Sequence, residues 1–208
     1  MKKKILLFAI FLASFTYVSA QTKIGLKISP LLSVNRAAVD ENNLNIGSDG
    51  AGFKMSVGPV VDFYLKENYY FSTGLFYTPK RAGISINDNG ITKEEEYNLQ
   101  YLQVPATIKL FTNELALDKR LYFQLGGVTE IKIHEKNEGA DNYIEKFRFF
   151  DFSVMAGFGL EYRIGVSSTI FGGISYTRGL INAASKRKND YDFSVKNDLV
   201  SLDFGIMF

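Results

Sequence analysis

The chain has 208 residues, with 24 Lys and Arg against 22 Asp and Glu, and it contains no cysteine. This is the length of one domain of ordinary size, and the near balance of charge gives no reason to expect a nucleic-acid partner. Without cysteine we expect neither disulfides nor a lipoprotein anchor. The 18 Phe, 12 Tyr and 18 Gly against only 4 Pro favour β-strands.

Residues 1–20 have the composition of a secretory signal peptide. Three lysines at positions 2–4 precede an apolar run at 5–18, and Ala20 ends a small-residue cleavage site. The run is short for a membrane-spanning helix, which needs about 20 residues. We therefore predict export, cleavage before Gln21 and a single domain over 21–208, whose formal charge is −1 instead of +2 because three lysines are removed.

Eight later stretches alternate between apolar and polar residues, a period typical of a strand with two chemically different faces. The predicted strands are 22–35, 51–65, 69–81, 97–111, 120–133, 148–164, 168–181 and 198–208. One parity carries no Asp, Glu, Lys or Arg in any of them: even 24–34, odd 53–65, odd 69–79, even 102–110, odd 121–133, even 150–164, even 170–176 and even 202–208. This pattern predicts an all-β fold, an eight-stranded antiparallel transmembrane up-and-down β-barrel.

The opposite parity carries ten charges, five of each sign. They are Lys27, Lys54, Lys109, Lys132, Arg163, Asp62, Glu130, Asp151, Glu161 and Asp203. An eight-stranded barrel is only wide enough for its own side chains, and a buried charge is costly without a partner. We therefore predict a structural polar network that fills the lumen. A proton or ion pathway is the alternative.

The connections between the predicted strands alternate in length. Short ones lie at 66–68, 112–119 and 165–167, and long polar ones at 36–50, 82–96, 134–147 and 182–197. This predicts both termini on the periplasmic side and four long loops outside, where a protein partner or a surface ligand would bind.

The prolines conflict with this pattern, because a closed barrel has no edge strand to hold them. Pro30 lies within the first predicted strand. We expect Pro79 to end its strand and expect β-bulges at Pro59 and Pro105.

The segment from Tyr101 to Lys109, YLQVPATIK, resembles the "YLxxPxxxK" strand of the PorT-like outer-membrane β-barrel family. Residues 151–162 are similar to its Gly-rich sixth strand, and 175–182 resemble its "RYxxGLxN" strand, although Ser175 stands where relatives often have Arg. The resemblance implies an eight-stranded barrel in the outer membrane. The family's namesake is linked to a protein secretion system, and no residue of this chain indicates that role.

Phe208 ends the last alternating stretch, and such an aromatic terminus is typical of the signal that barrel-assembly machinery reads. Outer-membrane lipid is the other expected partner, because the apolar face of the barrel would lie against it. Lys186, Arg187 and Lys188 in the fourth loop would bind anionic lipid head groups or would simply be solvated.

Catalysis is a less favoured interpretation. His134 is the single histidine; Ser185 or Ser194 could approach it from the fourth loop of a lipid-modifying enzyme. One histidine disfavours a zinc site, and no phosphate-binding Gly-rich loop is present, so we expect no cofactor or metal. Glu94, Glu95 and Glu96, or Asp40 and Glu41, would collect a divalent cation or only solvate their loops.

A soluble periplasmic barrel that encloses a small apolar ligand, as lipocalins do, is the alternative fold. It requires the charge-free face to point inward, where Phe150, Phe152 and Phe158 would overfill an eight-stranded interior.

Overall fold

The structure, a computed structural model, describes residues 22–39, 45–88, 91–137, 144–187 and 193–208. The proposed signal peptide lies outside the described residues. The described chain forms these strands: β1 (Lys23–Val39), β2 (Asn45–Ser48), β3 (Ala51–Lys66), β4 (Tyr69–Gly74), β5 (Phe76–Asp88), β6 (Ile91–Phe111), β7 (Lys119–Asn137), β8 (Ile144–Phe147), β9 (Phe150–Arg163), β10 (Thr169–Gly179), β11 (Ala184–Arg187) and β12 (Phe193–Met207). No helix in these ranges is long and apolar enough to cross a membrane.

The strands close into an antiparallel ring in the order β1, β12, β10, β9, β7, β6, β4 and β3, and β3 pairs with β1. β5 continues β4 above Leu75, so β4 and β5 together form one wall of the ring. The predicted all-β fold of eight antiparallel strands is therefore confirmed. Closure matters physically because it pairs the strand edges around the ring, although the part of β3 before Val57 has no ladder to β5.

Outward side chains alternate with inward ones in all eight walls, as the charge pattern predicts. On β9, Phe152, Val154, Ala156 and Phe158 are exposed, and the alternate residues 153, 155 and 157 are buried or half-buried. Phe53 and Leu125 on other strands are 69% and 67% exposed. A surface with this much exposed apolar area is stable against lipid and not against water.

The prolines do not produce the expected bulges. The pairing of β1 with β3 runs through Pro59 without a register shift, and that of β6 with β7 does so through Pro105. Instead the wall between these strands opens at Leu75, where β4 ends and β5 begins. The register sets Pro59 opposite Leu75, and Pro105 lies beside the same gap. Since neither proline has an N–H to donate, the ladder is interrupted there instead of being displaced.

Pro79 does not end its strand. It pairs with Gln100 inside β5, which continues to Asp88. As a result β5 and β6 extend well beyond the predicted strand ends, as a hairpin that projects past the ring. β2 adds to this hairpin by pairing with β5 from Ser48 to Asn45.

The two ends of the ring differ. We call the end with the connections at 67–68, 112–118 and 164–168 the short-turn end; Asn68 and Asp118 adopt positive φ of 65° and 60° there. At the opposite, long-loop end, β8 and β11 form a separate two-stranded ribbon. The predicted third and fourth loops are therefore joined to each other.

At the long-loop end β3 and β5 are paired only between Val57 and Tyr77. Beyond this pair, toward the long-loop end, side chains of β1 form hydrogen bonds with the backbone of β5. Gly83 N–H donates to Asn35 Oδ1 (3.0 Å) and Asn35 Nδ2 donates to the Gly83 carbonyl (2.6 Å). Side-chain hydrogen bonds thus replace ladder bonds where the walls separate.

Candidate functional site

The interior of the ring is the candidate site, because the polar side chains predicted from the sequence converge there. Nine of the ten predicted charges face it, and they are buried or half-buried: Lys27, Lys54, Asp62, Lys109, Glu130, Lys132, Asp151, Glu161 and Asp203. Arg163 does not. It lies 47% exposed at the short-turn end, 3.8 Å from Glu114 and 3.6 Å from Asp118, because β9 ends at that residue.

The interior near the short-turn end combines ion pairs with aromatic rings. Lys109 Nζ lies 2.9 Å from Asp62 Oδ2, and it is 4.7 Å from the ring centre of Tyr122 and 5.0 Å from that of Phe171. Cations over aromatic faces are stabilised by the ring quadrupole as well as by the carboxylate. Lys109 therefore joins the ionic and the aromatic contacts of this layer.

The aromatic cluster of this layer consists of Val60, Phe76, Phe111, Tyr122, Phe171 and Met207, with Tyr70 against it. Gly159 and Gly173 face each other across β9 and β10 and make room for the Tyr122 ring. A Cβ built on either glycine would lie 2.5 Å from the Tyr122 hydroxyl oxygen. The Gly-rich pattern of β9 and β10 thus permits the close packing that closes this end.

Glu161 accepts from two cations in the same layer. Its Oε1 is 3.0 Å from Lys23 Nζ and 2.7 Å from Arg120 Nη2. Both cations are partly exposed, whereas the Glu161 side chain is 2% exposed. The buried Glu161 carboxylate is therefore neutralised by two cations that lie partly exposed at the short-turn end.

Asp203 and Lys27 occupy the middle of the lumen. Ser29 Oγ donates to Asp203 Oδ1 at 2.6 Å, and Lys27 Nζ lies 3.5 Å from that same oxygen. Lys27 Nζ is also 4.5 Å from the centre of the Phe76 ring.

Lys80 and Glu130 form the most buried ion pair, with both side chains 0% exposed. Gln103 Nε2 donates to the second Glu130 oxygen at 2.7 Å. Lys80 Nζ lies 4.8 Å from the ring centre of Tyr101, which is itself fully buried. A pair with no access to water depends on such additional contacts, because desolvation opposes the Coulombic attraction.

Asp151 lies next to this pair, opposite Glu130 in the β7–β9 register. Its Oδ1 accepts from the Phe152 N–H at 2.8 Å. Its Oδ2, the Tyr101 hydroxyl and Ser153 Oγ are buried and have no hydrogen-bond partner among the described residues.

An apolar cluster covers the lumen at the long-loop end. It contains Ala82, Ile84, Tyr97, Leu99, Tyr101, Ile144, Phe147, Ala183, Ala184 and Val195. Four of these residues lie in the β8–β11 ribbon or directly beside it. Lys132 holds the ribbon from below by donating to the Phe147 carbonyl at 2.7 Å and by pairing with Glu135. Lys54, another of the predicted interior charges, donates a hydrogen bond from Nζ to Asn98 Oδ1 at 2.7 Å.

Two cavities in the polar middle have a volume of about 20 Å³ each, and both are lined by Lys27, Phe76, Met155 and Asp203. Such a volume holds about one water molecule. The lipocalin-like alternative is therefore wrong for this chain: the charge-free face points outward, and ion pairs occupy the place of an apolar ligand.

Among the described residues, those considered for catalysis or metal binding are not brought together into a site. His134 is exposed on β7, and in the described part of the chain it has no hydrogen bond to Ser185 or Ser194. The described residues also contain no group of three or more His, Cys, Asp or Glu placed to hold a metal ion. Asp40 and Glu41 lie outside the described residues, and so does Lys188.

Three further cations pair with interior carboxylates but were not among the ten predicted charges: Lys80, Lys23 and Arg120. All three lie on the inward parity, one residue beyond the ranges used for the charge pattern. Lys80 lies inside the predicted strand 69–81, but it follows position 79, the last outward position considered in that strand. Carrying the alternation one residue further at each strand end would have found them.

Phe208 closes the ring by backbone pairing. Its N–H donates to the Ile24 carbonyl at 2.8 Å, and Ile24 N–H donates to the Phe208 carbonyl at 3.2 Å. The Phe208 side chain points outward and is 59% exposed.

Comparisons with known proteins agree with this architecture. The sequence matches the family model described as "Outer membrane protein beta-barrel domain" over residues 19–185. No curated protein matches the chain. The outer membrane protein OprG from Pseudomonas aeruginosa aligns with a TM-score of 0.57 at 12% identity, covering 89% of this chain and 95% of that chain. Neisserial surface protein A aligns with a TM-score of 0.48 at 9% identity, covering 91% and 100%.

At 12% identity the likeness to OprG bears on the fold alone. The family model, in contrast, matches most of the chain, from the region of the proposed cleavage site to β11. The protein therefore belongs to the outer membrane β-barrel domain family.

Proposed function

We propose that this protein is a non-enzymatic, integral outer-membrane barrel whose lumen is closed to solutes and whose long-loop end binds a protein partner or a surface ligand. The observation that carries the proposal is the fully buried Lys80–Glu130 pair between two closed layers. Below it lies the aromatic cluster, and above it lies the apolar cluster that includes the β8–β11 ribbon.

Closure of the lumen follows from the packing of its three layers. A solute would have to displace the rings around Tyr122, separate Lys80 from Glu130 and lift the ribbon away from Leu99. Separating a buried pair leaves two charges without solvent or partner, which is strongly unfavourable. The pairing of buried carboxylates with interior cations therefore supports a structural role for these residues and not a pathway.

The binding role is supported by what the long-loop end adds to the ring. β5 and β6 project as a hairpin, β2 widens it, and the β8–β11 ribbon covers the opening. These elements give this end an ordered surface, whereas the short-turn end has only tight connections. Recognition sites are commonly carried by such loops on a rigid scaffold.

The proposal includes an orientation and an assembly route. The signal peptide at 1–20 would be removed on export, the short-turn end would face the periplasm, and the barrel-assembly machinery would read Phe208. The motif from Tyr101 to Lys109 supports assignment to the PorT-like branch of the family.

Conductance of the refolded barrel in planar bilayers tests the closed lumen, with a general porin as the positive control. A band that shifts on boiling in gel electrophoresis verifies that the sample is folded. We expect no steps of porin size from the wild-type protein. Stable steps of that size would contradict the proposal.

Deletion of Phe208 tests the assembly signal. We expect less heat-shifting barrel in outer membranes, while the amount of exported protein is unchanged. The control variant Phe149→Ala, which removes another exposed aromatic side chain away from the Ile24–Phe208 pairing, should have no effect. Normal amounts of assembled barrel after loss of Phe208 would contradict this part.

A further inference from the structure

The outer surface carries a group of charges directly above the apolar band on one side of the barrel. Arg36 on β1 is the direct cross-strand partner of Lys196 on β12, and Asp198 on β12 is the partner of Arg178 on β10. All four lie on the outward parity. Arg36 and Arg178 follow Val34 and Tyr176 by two residues, and Asp198 and Lys196 precede Val200 by two and four residues. We call these four residues the rim cluster.

Asp198 is neutralised within the rim cluster. Arg36 Nε and Nη2 bind its two carboxylate oxygens at 2.7 and 2.9 Å, and the Tyr176 hydroxyl donates to it at 2.9 Å. The Gly179 N–H donates as well, at 3.3 Å, and the Gly179 carbonyl accepts from Arg36 Nη2 at 2.9 Å. This fixes the Arg36 guanidinium against the wall.

Two positive charges of the rim cluster remain uncompensated. Within the described part of the chain Arg178 and Lys196 have no hydrogen bond or ion pair, and Arg178 is exposed. Cations on adjacent strands lie about 5 Å apart at Cβ when directly opposite and about 7–8 Å when diagonal. Arg178 and Lys196 therefore present two cations within reach of one phosphate group, with the Arg36 guanidinium beside them.

The length of the apolar band fixes the position of the rim cluster along the barrel axis, relative to the membrane. From Ile24 to Val34, the outward side of β1 carries no charge, and this stretch spans about 33 Å along the strand. At the usual strand tilt this is close to the apolar band of about 25 Å that outer-membrane barrels present to lipid. Arg36 follows at once, so the rim cluster lies at the level of the lipid head groups.

We propose that Arg178 and Lys196, with Arg36 held in place by Asp198, bind the phosphate of an anionic lipid head group in the leaflet at the long-loop end. A lipid is the occupant that fits because the exposed Val200 and Tyr176 lie next to the cations on the side of the apolar band and provide contacts for acyl chains. Anionic lipids are attracted by exposed Lys and Arg at this level. The inference rests on the membrane location and not on the closed lumen or the loop partner.

Native mass spectrometry of the barrel released from vesicles tests the site. One set of vesicles contains phosphatidylcholine alone. The other contains phosphatidylcholine together with a phosphomonoester lipid that has the same acyl chains. We expect wild-type protein to retain the phosphomonoester lipid in preference, and the double variant Arg178→Gln with Lys196→Gln to bind it about tenfold to thirtyfold more weakly.

The matched control is Lys66→Gln with Lys119→Gln, which removes two exposed cations at the short-turn end from a barrel that faces the same lipids. It should retain wild-type binding, as should the charge-conserving Arg178→Lys. An equal loss in both double variants would mean attraction by surface charge only, and would overturn the site. Equal retention of inorganic phosphate added without the lipid would identify a soluble-anion site instead and overturn the lipid assignment.

The wild-type measurement decides the question even if a variant fails to show the heat-dependent shift of a folded barrel. A wild-type protein that retains the phosphomonoester lipid no better than phosphatidylcholine overturns the inference. Conductance through the wild-type barrel would contradict the proposed closed lumen, but it would leave the lipid-binding inference unaffected.

Discussion

The two ends of the lumen are closed by different parts of the chain. At the short-turn end the closure belongs to the ring itself, since Phe111, Tyr122 and Phe171 come from β6, β7 and β10. At the long-loop end it depends on the β8–β11 ribbon, which lies outside the ring and adds Ile144 and Phe147 to the apolar cluster. The first closure therefore shares the stability of the barrel, whereas the second can be lost while the ring remains intact.

The largest effect is expected where the two closures meet, at the Lys80–Glu130 pair. Lys80→Ala leaves Glu130 buried without its cation, and we expect a loss of about 3–5 kcal/mol in the free energy of unfolding. Guanidinium unfolding followed by the gel shift measures it. The double variant Lys80→Met with Glu130→Leu should recover most of this loss, because neither member of the pair then remains as a buried charge without the other. A double variant as unstable as Lys80→Ala would argue against the ion pair as the cause.

Two phenylalanines allow a direct comparison of the ends. Phe171→Ala removes a buried ring within β10, and we expect the ring to lose about 3 kcal/mol of unfolding free energy. Phe147→Ala removes a ring of similar burial from the ribbon. We expect it to leave the unfolding midpoint nearly unchanged and to speed tryptic cleavage after Lys146 and Arg148.

Unfolding midpoints and digestion rates of both variants, measured side by side, check this difference. Equal losses of global stability would mean that the ribbon and the ring unfold as one unit, and the distinction between the two closures would fail.

The rim cluster adds a smaller, pH-dependent contribution at the long-loop end. Burial raises the pKa of Asp198, but the hydrogen bonds from Arg36 and Tyr176 outweigh burial, and the net pKa lies below its ordinary value. A depressed carboxyl pKa stabilises the folded state above the pKa of the unfolded chain, and this stabilisation is lost as the pH falls through the folded pKa.

We therefore expect Asp198→Asn to lower stability at pH 7 by about 1 kcal/mol or less, and to have little effect under acid conditions where Asp198 is protonated. Unfolding of both proteins at pH 7 and below the Asp pKa measures the difference. A loss that is the same at both pH values would show that charge on Asp198 is not its source.

The smallest effect is expected at Arg163 on the short-turn rim. Its contacts to Glu114 and Asp118 are exposed and longer than 3.5 Å. Arg163→Gln should change the free energy of unfolding by less than about 0.5 kcal/mol, as exposed ion pairs usually do. A loss comparable to that of Lys80→Ala would show that Arg163 belongs to the interior network after all.

The outward face could be read from the sequence because an apolar band facing lipid excludes charge at every second residue. For the same reason, nine interior charges were identified from parity alone. Partners could not be assigned in this way. Lys109 pairs with Asp62, two walls away in the ring, and Lys80 pairs with Glu130, 50 residues later in the chain.

The sequence by itself determined the strand count, the antiparallel order and the face that meets the membrane, since these depend on a local period of two and on connection lengths. Only the tertiary structure decided how Pro59 and Pro105 are accommodated, that β5 continues through Pro79, and that β8 and β11 come together over the lumen. Those outcomes depend on which backbone groups and side chains meet across the closed ring. Local patterns contain no information about contacts between residues so far apart in the chain.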